Sequence, residues 1–351
     1  MDSTLAQFGR AAVVLLWMIA AACGSKTPTQ PTDPFPTGPK ITCPEAPPPV
    51  TATNGQSAVV QYGTATFSGG GPNVSISCAP PNGSVFPVGT SAVVCTASDS
   101  RQRTDSCTFN VVVRTPPRIS ATRFVAFGDS ITWGEDGRSS FFTAESDRTV
   151  IRPAVQFPTS QTYPGVLQQN LQGRYTTQAV TVANSGLAGE KAGDSATLSR
   201  FNGTIAGGAY DAVLLMEGSN DIASRDSRDI PPAVANLRTM IRNARSRNMR
   251  AFLATVPPMV AGRPRALPYT LVPELNSQIR SAAAAEGVPL VDIEAGFGSA
   301  FDQYIGFDGL HPNEAGYAKI AEIFFNALRS NLELQPALTA PASLPFFRPR
   351  K

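Results

Sequence analysis

The chain has 351 residues, 42% of them apolar and 16% charged, and 29 basic against 26 acidic side chains leave a net charge of +3. That apolar share excludes wholesale disorder, the length exceeds one ordinary domain, and no basic block offers a nucleic-acid footprint. His311 is the only histidine, which excludes a metal site built on two imidazoles and sends any histidine chemistry through one residue.

An apolar run, residues 11–22, follows Arg10 and ends in Ala20, Ala21 and Ala22. It is shorter than the ~20 residues a membrane-spanning helix needs, so residues 1–22 read as a signal peptide. Cys23 stands directly after the expected cleavage site and resembles the lipidated cysteine of a bacterial lipobox, with Ala20 where that pattern usually has Leu. A diacylglycerol on Cys23 would anchor the protein to a membrane at the cell envelope. Ordinary secretion, with Cys23 left as a free thiol, is the alternative. Residues 28–50 hold nine prolines and favour extended, polyproline-like backbone, so 23–50 reads as a linker.

Residues 51–114 change character to short alternating strands. Val93, Cys95 and Ala97 share one strand face, as do Cys107, Phe109, Val111 and Val113. Turn signals at 69–72, 80–83 and 87–89 separate the runs, and no helical period appears. Cys43, Cys78, Cys95 and Cys107 form an even set in an export context, which predicts two disulfides. Three pairings are open, with Cys43–Cys107 and Cys78–Cys95 preferred. A small disulfide-linked β-sandwich follows, with Cys43 at its edge.

After Pro116–Pro117, strands and helices alternate from 118 to about 330. Strands are expected at RFVAF, AVTVAN, AVLLME, RAFLATV and VPLVDI. Helices are expected over 163–174, 232–247 and 274–286, and from Asn313 with Tyr317, Ile320, Ala321, Phe324 and Leu328 inward. Such alternation predicts a parallel sheet covered by helices on both faces, with ligands at the carboxyl ends of the strands. Residues 331–351 read as a loose tail.

Four groups of chemistry-bearing residues follow those strands: Gly128–Asp129–Ser130, the segment from Asn184 to Gly189, Gly218–Ser219–Asn220–Asp221, and Asp308–Gly309–Leu310–His311–Pro312. Their types suit acyl transfer. A serine attacks a carbonyl, an imidazole takes its proton, a carboxylate orients the imidazole, and N–H donors hold the oxyanion. Asp308 and His311 are three residues apart, close enough for the carboxylate to accept from Nδ1–H and leave Nε2 facing Ser130. Asn220 and the N–H groups of Ser130 and Gly189 are the candidate oxyanion donors. Asp129 and Asp221 read as tying down their loops, and Ser185 and Ser219 lack a base. No P-loop, dinucleotide fingerprint or Gly-x-Ser-x-Gly elbow occurs.

These four blocks, in order, resemble the SGNH hydrolases of the GDSL esterase–lipase superfamily, with Ile131 in place of the name-giving Leu. The resemblance covers about Arg123 to Leu328. It implies a three-layer α/β/α, flavodoxin-like fold with a five-stranded parallel sheet and no metal or other cofactor. The implied roles are Ser130, His311 and Asp308 as the triad, and Ser130, Gly189 and Asn220 as the oxyanion hole. The cysteine-bearing segment, with Cys43–Pro44, SCAPPNGSVFPVGTSAVVCTASDS and CTFNVVV, resembles a hyalin-repeat, immunoglobulin-like module, which implies adhesion or carbohydrate proximity. The expected substrate is an ester, either acetylated carbohydrate or lipid. A binding protein with an inactive hydrolase domain is the competing class.

Overall fold

The computed structural model describes residues 34–137 and 155–334. The expected signal peptide, Cys23, residues 138–154 with Phe141 and Phe142, and the tail beyond 334 lie outside these residues.

The N-terminal region is all β. Its strands are β1 (Pro39–Thr42), β2 (Val50–Thr51), β3 (Ser57–Val59), β4 (Thr66–Gly69), β5 (Ser75–Ala79), β6 (Val85–Pro87), β7 (Gly89–Ser98) and β8 (Thr104–Arg114). A four-stranded sheet runs β2-β8-β7-β5, and β1 pairs with β4 and β3 with β6. Alternation along β7 and β8 buries Val93, Cys95, Ala97, Phe109, Val111 and Val113 in one core. The proline-rich segment before residue 51 supplies β1 and puts Ile41 into that core. A two-stranded sheet tolerates this because Pro39 is the strand's first residue, where a missing donor costs least.

Register places Cys95 opposite Cys78 on one side and Cys107 on the other. The disulfides join Cys43 to Cys107 and Cys78 to Cys95. The first spans 64 residues and the second 17. By loop entropy, removing them is expected to cost about 4 and about 3 kcal/mol. Denaturant unfolding of the paired Cys→Ala variants checks this. The 43–107 pair is expected to show the larger fall.

The C-terminal part alternates strands and helices. In chain order it holds β9 (Arg118–Ile119), β10 (Arg123–Gly128), α1 (Ser130–Trp133), α2 (Tyr163–Arg174), β11 (Thr181–Gly186), α3 (Ser195–Ile205), β12 (Ala212–Met216), α4 (Ile230–Arg245), β13 (Arg250–Ala254), α5 (Val272–Glu286), β14 (Leu290–Val291), α6 (Ile293–Phe297), α7 (Glu314–Leu332) and β15 (Glu333–Leu334). The five-stranded sheet has the order β11-β10-β12-β13-β14, and every neighbouring pair is parallel. Its inner strands β10, β12 and β13 are apolar and buried on both faces, as a covered parallel sheet requires, whereas the edge strand β11 is half-exposed. Phe124, Ala126, Leu214 and Phe252 pack in one core with side chains of α2 and α7. Val125, Phe127, Leu215 and Leu253 pack in another with α3, α4 and α5. The strand order reverses between β10 and β12, so a crevice opens where those two strands end.

Two elements depart from the sequence-based expectation. Helix α3 was not expected, although Leu198, Phe201 and Ile205 sit at helical spacing; the intervening Ser, Thr, Asn and Gly residues dilute the signal. The last strand shrinks to two residues because the Asp292 side chain accepts from Ala295 N–H and starts α6.

Candidate active site

Strand β10 delivers Ser130 to the sheet edge. Asp129 caps α1 by accepting from Ile131 N–H at 2.9 Å, so Ser130 becomes the first residue of a helix only four residues long. Gly134 ends that helix in the left-handed region at φ 101°, and a Cβ there would lie 2.3 Å from Thr162. Only glycine fits this reversal, which turns the chain back beside the nucleophile.

Asp308 and His311 stand on one tight turn. Oδ1 of Asp308 accepts from the N–H groups of Leu310 and His311 at 2.9 and 3.0 Å. Oδ2 lies 2.5 Å from His311 Nδ1, and His311 Nε2 lies 2.8 Å from Ser130 Oγ. The three side chains sit together in a buried setting, with Asp308 and His311 fully enclosed. Burial pushes the Asp308 carboxyl up, but the hydrogen bond and charge of His311 and the two N–H donors outweigh it and hold the group below its ordinary range. The imidazole is thus positioned to donate from Nδ1 and to accept at Nε2.

The proline-rich connection 257–273 braces this turn. Arg265 N–H donates to Asp308 O at 2.7 Å, and Val260 N–H donates to Gly309 O at 2.9 Å. Arg263 Nη1 donates to the carbonyls of Ile305 and Gly306.

The second and third blocks leave the strands on either side of β10 and meet through Asn220 and Glu190. Gly189 adopts φ 81° with open space where a Cβ would stand, so its backbone is accessible to a ligand. Among the described residues no backbone carbonyl accepts from Gly189 N–H. Gly186 N–H, by contrast, is taken by Asn184 Oδ1 at 3.0 Å. Asn220 Nδ2 donates to Glu190 O at 2.8 Å, leaving its second amide proton for another acceptor. Asp221 accepts from Ala192 and Gly193 N–H, both at 2.8 Å, and so clamps the loop that carries Gly189. Arg200 of α3 completes the clamp. It pairs with the Glu190 carboxylate, donates to Ser185 O at 3.0 Å and Ser185 Oγ at 3.1 Å, and stacks 3.9 Å from the Phe127 ring centroid.

Four residues near this site have no motif in the sequence. Arg200 and Glu190 are two, and only their positions on α3 and beside Gly189 hint at a role. Glu135 and Arg265 are the others. Glu135 Oε2 lies 3.4 Å from His311 Nε2, and Glu135 Oε1 lies 2.6 Å from Arg265 Nη1. Nearness to Ser130 in the chain is the only sequence signal for Glu135, and Arg265 has none.

Beneath the site lie buried carboxyls. Burial raises Asp129 to about 6, against the opposing Ile131 N–H and His311. Glu217, at the end of β12, is fully enclosed, and neither carboxyl oxygen has a hydrogen-bond partner among the described residues. Burial, followed by the charges of Asp129 and Glu190, pushes it well above its ordinary value. A carboxyl raised on folding holds its proton longer in the folded than in the unfolded state. Its ionisation therefore opposes folding increasingly as pH rises above the ordinary carboxylate range, ~4.3 for Glu. Glu217→Gln is expected to stabilise the protein at pH 8 more than at pH 4. Each kcal/mol gained raises Tm by about 2–4 °C, which thermal unfolding at the two pH values checks.

The model of the GDSL-like lipase/acylhydrolase family matches residues 126–319, more than half of the chain, and that of the HYR domain matches residues 33–113. No curated protein matches. Among solved structures, a lipase/acylhydrolase from Enterococcus faecalis is 24% identical, with a TM-score of 0.47 over 62% of this chain and 100% of that one. A putative arylesterase from Agrobacterium tumefaciens is 21% identical, with a TM-score of 0.47 over 60% and 99%. An acetylxylan esterase from Geobacillus stearothermophilus is 20% identical, with a TM-score of 0.46 over 60% and 95%. The chain belongs to the GDSL-like lipase/acylhydrolase family and is an ester hydrolase that also carries a HYR domain.

Proposed function

We propose that the protein is an exported serine esterase acting through Ser130, His311 and Asp308, and that its substrates are acetylated carbohydrates. The observation that carries the mechanism is the 2.8 Å approach of His311 Nε2 to Ser130 Oγ, with Asp308 on the opposite ring nitrogen. His311 takes the Ser130 proton as Oγ attacks the ester carbonyl. The oxyanion is held by Ser130 N–H, Gly189 N–H and the free amide proton of Asn220. His311 then protonates the leaving alcohol, and water attacks the acyl-enzyme in the reverse sense, releasing the acid and restoring Ser130.

A three-layer α/β/α arrangement is supported by the two cores, one with α2 and α7 and the other with α3, α4 and α5. Two disulfides and a HYR domain support export. No helix among the described residues is long and apolar enough to cross a membrane, so membrane attachment is assigned to a diacylglycerol on Cys23. Mass spectrometry of the N-terminal peptide tests that assignment. The reading of residues 51–114 as a sandwich rests on the buried faces of β7 and β8. Such a module beside the hydrolase favours a polymeric glycan over a free lipid.

The test is hydrolysis of nitrophenyl acetate, butyrate and laurate by the full chain, beside acetate release from acetylated xylan. A serine-directed phosphonate would map the nucleophile. Acetate preference, acetate release from the polymer and phosphonate on Ser130 are the expected results. A preference for laurate would replace the carbohydrate reading with a lipase reading. Labelling at another serine would remove Ser130 from the mechanism.

A further inference from the structure

We infer that Glu135 and Arg265 form a charge pair that controls the protonation of His311 during turnover. Glu135 faces the imidazole at Nε2 and at the same time keeps Arg265 off Asp308. The inference rests on the Ser130–His311–Asp308 reading and adds two residues to it, both acting through His311.

The backbone fixes Glu135 tightly. Its N–H donates to Ser130 O at 2.9 Å, and its carbonyl accepts from the Tyr317 hydroxyl at 2.6 Å. The carboxylate is nearly enclosed, at 5% exposure. Its Oε2 lies 3.4 Å from His311 Nε2. Among the described residues, the charged groups around His311 are Asp308 against Nδ1, Glu135 against Nε2, and Arg265, whose Nη1 is 3.4 Å from Nδ1 and 3.9 Å from Asp308 Oδ2. Asp129 acts on the ring by charge from beneath. Asp136 and the Tyr317 hydroxyl are buried behind Glu135.

Consider the ring as it takes the Ser130 proton. A buried carboxylate 3.4 Å from the new positive charge stabilises the imidazolium, whereas a guanidinium 3.4 Å from the other nitrogen opposes it. The two effects are unequal, because the Arg265 side chain is 39% exposed and partly screened. Glu135 has a second effect. It accepts from Arg265 Nη1 at 2.6 Å. Among the described residues, this nitrogen also lies 3.9 Å from Asp308 Oδ2. Without the Glu135 acceptor, Arg265 would compete for the atom that orients Nδ1–H. Losing Glu135 alone should therefore do more harm than losing both residues together.

The test is the pH dependence of kcat/KM on nitrophenyl acetate for the parent, Glu135→Gln, Arg265→Gln and the double variant, with Ser130→Ala as reference. Glu135→Gln is expected to lose roughly tenfold or more at neutral pH, and its acid limb to move to lower pH. Arg265→Gln is expected to lose less and to move its acid limb to higher pH. The double variant is expected to recover most of the tenfold loss, a non-additivity that two unrelated structural defects would not produce. Acid limbs that stay in place or move the same way, or losses that multiply in the double variant, would overturn the inference. Should Glu135→Gln not fold, the direction of the Arg265→Gln limb decides alone. If Ser130→Ala keeps the parent's activity, the triad reading fails first. If Ser130→Ala is inactive and the limbs do not move, only the charge pair fails.

Discussion

Ser130→Ala is expected to lower kcat on nitrophenyl esters by roughly 10⁴-fold or more while leaving the fold intact. The reason lies in what the hydroxyl touches. Ser130 Oγ has the His311 Nε2 contact at 2.8 Å, and helix α1 depends on the Asp129 cap and on Gly134, not on that hydroxyl. Alanine therefore removes the attacking atom and little else. The backbone N–H of residue 130 stays, so the oxyanion donors survive and substrate still binds. A drop confined to kcat, with KM and Tm near the parent's, is the expected pattern. Retained activity would sink the serine mechanism outright.

Asp308→Asn is expected to cost about 10⁴-fold in kcat near neutral pH, for a different reason. The substituted side chain keeps an oxygen for the N–H groups of Leu310 and His311, so the turn persists. Its amide nitrogen, however, now faces Nδ1 as a donor. The ring must then carry its proton on Nε2 and cannot accept from Ser130. Stability should respond as well. Because the Asp308 carboxyl is held below its ordinary range in the folded protein, it contributes stability above the unfolded carboxylate range, ~3.9, that is lost as pH falls through its lower folded value. The Asn variant should lack that part of the acid sensitivity. Activity and urea unfolding followed from pH 3 to pH 8 check both statements. Full activity at neutral pH would mean that His311 does not depend on Asp308 for its tautomer.

The inner strands of the parallel sheet, β10, β12 and β13, were legible because each is a short apolar run bounded by turn residues, and burial on both faces leaves no alternation to misread. The inward residues of α7 and the strand faces of β7 and β8 followed from their periods alone. Helix α3 was harder to see, because its apolar residues Leu198, Phe201 and Ile205 are diluted by polar neighbours. Its role is also tertiary, since Arg200 reaches from it to Glu190 and Ser185. The backbone of the proline-rich connection 257–273 pairs with Asp308 and Gly309, a partnership that no local pattern encodes.

Residue types and order by themselves determined the hydrolase half. Ser130, Asn220, Asp308 and His311 each follow a strand, and parallel strands deliver their ends to one edge, so convergence is a property of topology that a sequence can announce. The family match covers residues 126–319. The even set of four cysteines likewise announced an oxidised β module. What only the tertiary structure decided is which charges surround that chemistry. Glu135 is brought against His311 by one left-handed glycine, and Arg265 arrives from a loop 130 positions away along the chain. Glu217 is enclosed because it directly follows β12, the central strand of the sheet. Electrostatic effects depend on distance and burial to within an ångström or so, and neither quantity is written in the order of residues.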